Sequence, residues 1–220
     1  MNWSYLKPFP WLDRRASFVA AIPHGGVLLD LGTAEGETLR HIAELRPDLK
    51  LIATDIAGVP RGYPEGSVFH QVNLETDPLP VADASVDAVT SFHLVEHLRE
   101  VLPLMHQVKR VLRPGGAAFF ETPHPRSLTI GSVNGRMTGR FTMNFYDDLT
   151  HVRLVPTGAL AQLAVQSGLE VCRTGVSRNW LFAASWPFFW FMPASRQKLT
   201  ARLHWLGWSA FLEARRPGET

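Results

Sequence analysis

The sequence predicts an α/β domain with a doubly wound, mostly parallel sheet. Two observations carry that expectation. Residues 27–31 (Val-Leu-Leu-Asp-Leu) form a short apolar run around an acid, and Gly32 and Gly36 follow before a helical pattern. That order reads as a buried strand feeding a tight turn that opens a helix. Short apolar runs and amphipathic segments then alternate along the chain, as they do where crossover helices join parallel strands.

Residues 1–24 are aromatic and proline-rich, with a weak helical pattern over 12–21, and read as a cap on a domain spanning 25–220. The helix after the glycine turn carries Leu39, Ile42 and Ala43 on one face and stops before Pro47. A second strand, 50–55, again ends in an acid, Asp55. It lies about 20 residues past the glycine turn, where an acid can hold both ribose hydroxyls of a nucleoside. A third strand, 67–72, leads to Asn73 and Leu74, and a fourth ends at Ser91. Val101, Leu104, Met105, Val108, Val111 and Leu112 then mark a helix whose Pro103 sits in the first turn. A turn at Arg113-Pro114-Gly115-Gly116 precedes a fifth strand, 117–122. Thr157 is the expected N-cap of a helix that buries Leu160, Leu163 and Ala164 and ends at Gly168. Residues 169–176 and 208–215 complete the set of strands.

At 220 residues, one domain with a sizeable core is expected. A balance of 22 Lys and Arg against 20 Asp and Glu leaves a formal charge of +2, too little to recruit nucleic acid or membrane by a global field. The single cysteine, Cys172, excludes an intramolecular disulfide. The N-terminus lacks a basic-then-apolar leader, and no apolar run approaches the ~20 residues of a membrane span. The expectation is a cytoplasmic protein. Tryptophan is unevenly spread, five of seven falling within 180–208. Residues 180–193 carry no charge and are followed by Arg196, Lys198 and Arg202. An aromatic segment beside cations suits peripheral contact with the inner face of a membrane. Burial in the chain's own core, a lid over an apolar substrate and a homodimer contact are the other readings of an insertion at 180–205.

The glycine turn has the spacing Asp30-x-Gly32-x-x-x-Gly36, which is not the G-x-G-x-x-G of a dinucleotide site. A carboxylate at its mouth suits a cationic ligand better than a pyrophosphate. The stretch resembles the first motif of the class I S-adenosylmethionine-dependent methyltransferases, whose usual form is acid-x-Gly-x-Gly-x-Gly. Ala34 stands where the middle glycine usually sits. The Asn73-Leu74 corner, the Asp83-Ala-Ser-Val-Asp87 run and the Val111-Leu-Arg-Pro-Gly-Gly116 turn are similar to features of the same family, in the same order.

The resemblance implies a seven-stranded, Rossmann-like sheet with an antiparallel last strand, a substrate loop at 123–150, and S-adenosylmethionine as cofactor. It places Asp30 at the ligand's amino-acid end, with Gly32 and Gly36 allowing close backbone approach. Asp55 falls on the ribose, Asn73 and Leu74 on the adenine, and the Ser91 main-chain carbonyl on the ligand's amino group. Asp87 supports the loop.

Methyl transfer needs an acceptor held in line and, for a hydroxyl, a base. His93, Glu96, His97, His124 and His151 all lie on loops or helix starts at the edge where open α/β sheets bind ligands. His97 and His151 are the leading candidates for the base. His93, Glu96, His97 and the distant His151 also match a metal-ligand spacing. That set resembles the metal loop of small-RNA 3′-terminal and quinone-pathway methyltransferases, but Glu-His-Leu is common in metal-free members, and no metal is expected. Arg126, Arg136 and Arg140 make a basic loop suited to a phosphate or carboxylate. With the aromatic segment they point to O-methylation of a small or lipid-linked, amphiphilic acceptor. The alternatives are metal-assisted RNA methylation and a non-catalytic partner protein of this fold.

Overall fold

A computed structural model describes residues 3–58, 62–130, 144–193 and 195–218. Five strands run parallel: β1 (Val27–Leu31), β2 (Lys50–Asp55), β3 (Val68–Gln71), β4 (Val86–Phe92) and β5 (Leu112–Pro123). β6 (Glu170–Ser177) and β7 (Ser209–Arg215) finish the sheet, β7 lying antiparallel between β5 and β6. The spatial order is β3-β2-β1-β4-β5-β7-β6. This is the doubly wound, seven-stranded sheet that the sequence predicts.

Helices cover both faces, which is why the central strands are apolar throughout rather than alternating. Neighbouring residues point to opposite sides of a strand, and the two cores divide accordingly. Leu28 and Phe119 pack with Phe18 and Val19 of α1 (Arg14–Ala20) and Leu39 and Ile42 of α2 (Glu37–Leu45). Leu29 and Phe120 pack with Met105 and Val108 of α3 (Leu102–Val111) and Leu160 of α4 (Thr157–Gln166). The N-terminal segment belongs to the first core: Trp3 and Leu6 are buried in it, and the Trp3 amide donates to Glu44 on α2. It packs against a helix layer.

Several local expectations change, and β3, β6 and the end of α4 each shift by one or two residues. Pro156, not Thr157, is the N-cap of α4, and Thr157 is its first helical residue. β5 begins at Leu112 because that residue pairs with Val86 before the register shifts to Ala88 and Ala117. The shift accommodates the Arg113–Gly116 turn, where Arg113 meets Asp87 while Asp87 also accepts from the Val27 amide at 2.7 Å. The supporting role expected of Asp87 is thereby given its partners. Trp208 precedes β7 instead of starting it.

The aromatic stretch forms a helical hairpin between β6 and β7, α5 (Trp180–Phe189) and α6 (Arg196–Leu206). α5 buries only Ala183 and Trp186. Phe188, Trp190, Phe191 and Trp205 are exposed, Phe191 to 90%, so burial in the chain's own core does not account for the segment. Among the described residues, no helix is long and apolar enough to cross a membrane.

Candidate functional site

β1 has β2 on one side and β4 on the other, so the chain winds in opposite directions from this point and leaves a crevice at the strand ends. A cavity of about 430 Å³ lies there, lined by Asp30, Gly32, Thr33, Ala34, Glu37 and Phe92 among others. Gly32 (φ +69°) and Gly36 (φ +74°) take the left-handed conformation that glycine adopts without strain. A Cβ on Gly32 would come 2.9 Å from Leu94 Cδ1, and one on Gly36 would collide with the Tyr63 ring. Ala34 also has positive φ, +48°. An L-residue held left-handed costs about 1–2 kcal/mol, which gives a physical reason for glycine at the equivalent place in the motif.

Asp30 is 2% exposed and accepts from Thr90 Oγ1 at 2.7 Å. Burial pushes its carboxyl up to about 7, with the nearby Asp55 adding to the rise and hydrogen bonding opposing it. Such a group is poised to ionise when a cation arrives. Asp55 accepts from the Ala34 amide at 2.8 Å and the Ala57 amide at 3.0 Å, which ties the end of β2 to the glycine turn. Ser91 is fully buried and its Oγ has no hydrogen-bond partner. Asp30 and Gly32 line the cavity, while Gly36, in the turn after β1, and Asp55 and Ser91, on β2 and β4, stand at the same edge outside its lining. Their carboxylates and close-approach glycines fit a ligand bearing an ammonium and a ribose.

Asn73 and Leu74 stand apart from that cavity's lining. The Asn73 side-chain Oδ1 accepts from the Glu75 amide and shapes a turn, and Leu74 is buried in the core on the α3 side. Arg126 donates to the Leu206 carbonyl at the end of α6. Arg136 and Arg140 lie outside the described residues.

The histidines separate into distinct environments. His124 accepts from the Arg126 amide and caps its own turn. His93 sits between two buried carboxylates, Nδ1 3.0 Å from Glu96 Oε1 and Nε2 3.4 Å from Glu121 Oε1. Burial opposes its charge, yet hydrogen bonds to Glu121 and Glu96 raise its pKa to about 9. A base must be free to take a proton, and this imidazole already holds both.

His97 and His151 come together, ring centroids 4.8 Å apart. The amides of Val152 and Arg153 donate to the Glu96 carbonyl, which docks the returning chain beside the end of β4. His151 Nδ1 lies 2.6 Å from the Phe145 carbonyl, and His97 Nδ1 lies 3.2 Å from the Thr150 carbonyl. A carbonyl can only accept, so His151 Nδ1 carries a proton, whereas His97 Nδ1 also meets the Thr150 hydroxyl at 3.0 Å, which can donate to it. Among the described residues, Glu96, His97 and His151 also bring one donor atom each within 4.8 Å of one another, the grouping that could hold a metal ion. His93 is not part of it.

Sequence reasoning did not single out Thr90, Tyr63 or Glu121. Thr90 and Glu121 lie inside apolar strands without a local motif. Tyr63 reaches the glycine turn from a loop, donating from its hydroxyl to the Ala34 carbonyl at 2.8 Å.

The chain matches the family described as Methyltransferase domain over residues 3–174. A relative from Mycolicibacterium smegmatis, described as a probable S-adenosylmethionine-dependent methyltransferase, is 32% identical over 168 residues, covering 73% of this chain and 60% of that protein. A demethylmenaquinone methyltransferase from Roseiflexus castenholzii is 31% identical over 115 residues, covering 49% of this chain and 48% of the enzyme. The chain therefore spans about half to three-fifths of these two relatives. A solved S-adenosylmethionine-dependent methyltransferase from Mesorhizobium loti shares the fold at a TM-score of 0.64 and 20% identity, covering 92% of this chain and 97% of that one. The sheet order, the acid-and-glycine corner and these similarities converge: the chain belongs to the S-adenosylmethionine-dependent methyltransferase family.

Proposed function

We propose that the protein transfers a methyl group from S-adenosylmethionine to a hydroxyl of a small or lipid-linked acceptor. The observation that carries this reading is the His97–His151 pair, two imidazoles 4.8 Å apart, of which His151 is oriented by the Phe145 carbonyl at its Nδ1. S-adenosylmethionine, when bound, would supply an electrophilic methyl carbon. Asp30 and the glycine turn would hold its amino-acid end, and Asp55 its ribose. His151, oriented by the Phe145 carbonyl, would take the proton of the acceptor hydroxyl as its oxygen accepts the methyl group and S-adenosylhomocysteine leaves.

Replacing His151 by Gln is expected to lower kcat by about a hundredfold while S-adenosylhomocysteine binds as before in a calorimeter. Native turnover in both His151→Gln and His97→Gln would remove the base. The Glu96–His97–His151 group favours a second reading, in which a divalent cation there activates the acceptor oxygen. Turnover after exhaustive dialysis against EDTA separates the two: unchanged activity supports the free base, and activity restored only by added Mg²⁺ or Mn²⁺ supports the cation.

The lipid-linked part of the reading is supported by the α5–α6 hairpin. Arg196 at the start of α6 pairs with Glu37, a residue of the cofactor cavity wall, at 3.1 Å. The exposed Trp190 and Phe191 are thus carried on a hairpin anchored beside that cavity. Sedimentation with anionic vesicles is expected to bring the protein down at low salt and to release it at high salt. Trp190→Ser with Phe191→Ser should weaken binding at least about tenfold. Failure of the native protein to bind would leave only the small-acceptor form.

A further inference from the structure

Ala34 stands on the wall of the cofactor cavity with φ at +48°. Alanine keeps a left-handed backbone only where its surroundings enforce it. Two hydrogen bonds hold this one. Asp55 Oδ2 accepts from the Ala34 amide at 2.8 Å, and the Tyr63 hydroxyl donates to the Ala34 carbonyl at 2.8 Å. A single strained residue is thus gripped at its amide from the end of β2 and at its carbonyl from the chain beyond it.

Tyr63 is fixed by its own neighbours. Its ring lies against Phe69 of β3, centroids 5.4 Å apart, and fills the space into which a Cβ on Gly36 would project. Arg40 of α2 donates to the carbonyls of Glu35 and Gly62, the residue after Ala34 and the residue before Tyr63. The loop and the glycine turn are therefore joined at two successive carbonyls, Ala34 to Tyr63 and Glu35 to Arg40. Phenylalanine would fill the same space without the bond, so the hydroxyl can be separated from the packing.

The conformation of Ala34 also orients Asp55. The Ala34 amide binds Oδ2, and the Ala57 amide binds Oδ1 at 3.0 Å, which sets the plane of the carboxylate. Each oxygen keeps a lone pair for a further donor such as a ribose hydroxyl. Were Ala34 to relax to negative φ, its amide and carbonyl would no longer face Asp55 and Tyr63 together.

We propose that Tyr63 is a positioning residue for S-adenosylmethionine: its hydroxyl keeps Ala34 left-handed and thereby keeps Asp55 aimed at the ribose. The proposal rests on the reading that puts the ribose at Asp55, and needs neither the hydroxyl acceptor nor its base. Its test is calorimetric titration of S-adenosylhomocysteine into native protein, Tyr63→Phe, Ala34→Gly and the double variant, with the thermal midpoint of each. Tyr63→Phe is expected to weaken binding about tenfold, the upper worth of one neutral hydrogen bond. In the Ala34→Gly background the same substitution should cost less than about twofold, because glycine stays left-handed without help. A tyrosine that only stabilised the fold would lower the midpoint in both backgrounds and leave no such difference in affinity. Equal losses of affinity in the two backgrounds, or no loss in Tyr63→Phe, overturn the proposal. Asp55→Ala keeps the two failures apart. Native affinity in that variant removes the ribose reading and the proposal with it. Affinity lost in Asp55→Ala but unchanged in Tyr63→Phe keeps the ribose reading and overturns the proposal alone.

Discussion

Asp30→Asn is expected to be about 4 kcal/mol more stable than the native protein at pH 8. The native carboxyl sits at about 7 against an ordinary 3.8, and each unit of difference corresponds to 1.36 kcal/mol. The sign follows from proton counting. Between about pH 4 and pH 7 the unfolded chain has lost the Asp30 proton while the folded chain keeps it. Native stability from this group is therefore present at low pH and falls as pH rises toward 7. Asparagine carries no such slope, and its carbonyl oxygen can still accept from Thr90. The same substitution should weaken S-adenosylhomocysteine about tenfold to a hundredfold, the worth of one charged hydrogen bond to the ligand ammonium. In the native protein, affinity should drop about tenfold from pH 8 to pH 6 as Asp30 takes up its proton. Urea denaturation at pH 5 and 8, with calorimetry across the same range, measures both. A flat affinity profile, or no gain in stability at pH 8, would remove Asp30 from the ligand's amino end and deny its strained ionisation. Stability traded for a buried carboxylate is expected where a binding site needs charge that folding alone would avoid.

Glu121→Ala should cost about 3–5 kcal/mol, the range for removing one partner of a buried ion pair. Its side chain is 3% exposed and lies 3.4 Å from His93 Nε2 and 3.8 Å from Arg15 Nε, and Ser177 Oγ donates to it at 2.7 Å. Burial opposes its charge, but Arg15 and His93 hold its pKa down at about 2. Its stabilising contribution is thus complete above about pH 4.5 and is lost as pH falls toward 2. His93, raised to about 9, works in the opposite sense: its contribution is complete below about pH 6.5 and is lost as pH rises through 9. The pair is fully effective between about pH 4.5 and pH 6.5. Urea midpoints at pH 3, 5.5 and 9 should show native stability falling at both ends and a flatter, lower profile for Glu121→Ala. A variant as stable as the native protein at pH 5.5 would show that the pair only breaks even with its desolvation.

The arrangement of strands and helices was readable from short stretches. Apolar runs of strand length, the Gly32–Gly36 turn and the Gly115–Gly116 turn each carry their geometry in a few adjacent residues, because strand burial and left-handed backbone restrict what can stand there. Asp30 and Asp55 were legible for the same reason, as acids on β1 and at the end of β2. Thr157 was a reasonable cap by residue type, but Pro156 fixed the backbone ahead of it. The α5–α6 segment could be recognised as unusual from its tryptophans, while its exposure could not.

What only the tertiary structure decided is which polar side chains meet. His97 and His151 touch because a long connection returns and docks its amides on the Glu96 carbonyl. Arg15, His93 and Glu121 converge from α1, the end of β4 and β5. Asn73 matches the adenine corner by type, yet its side chain closes a turn. Periodicity and turn sterics act between near neighbours, so they are written locally in the chain. The ionisation of Asp30, His93 and Glu121 depends on distances and burial set only when separate elements close on one another, and local sequence carries no record of those.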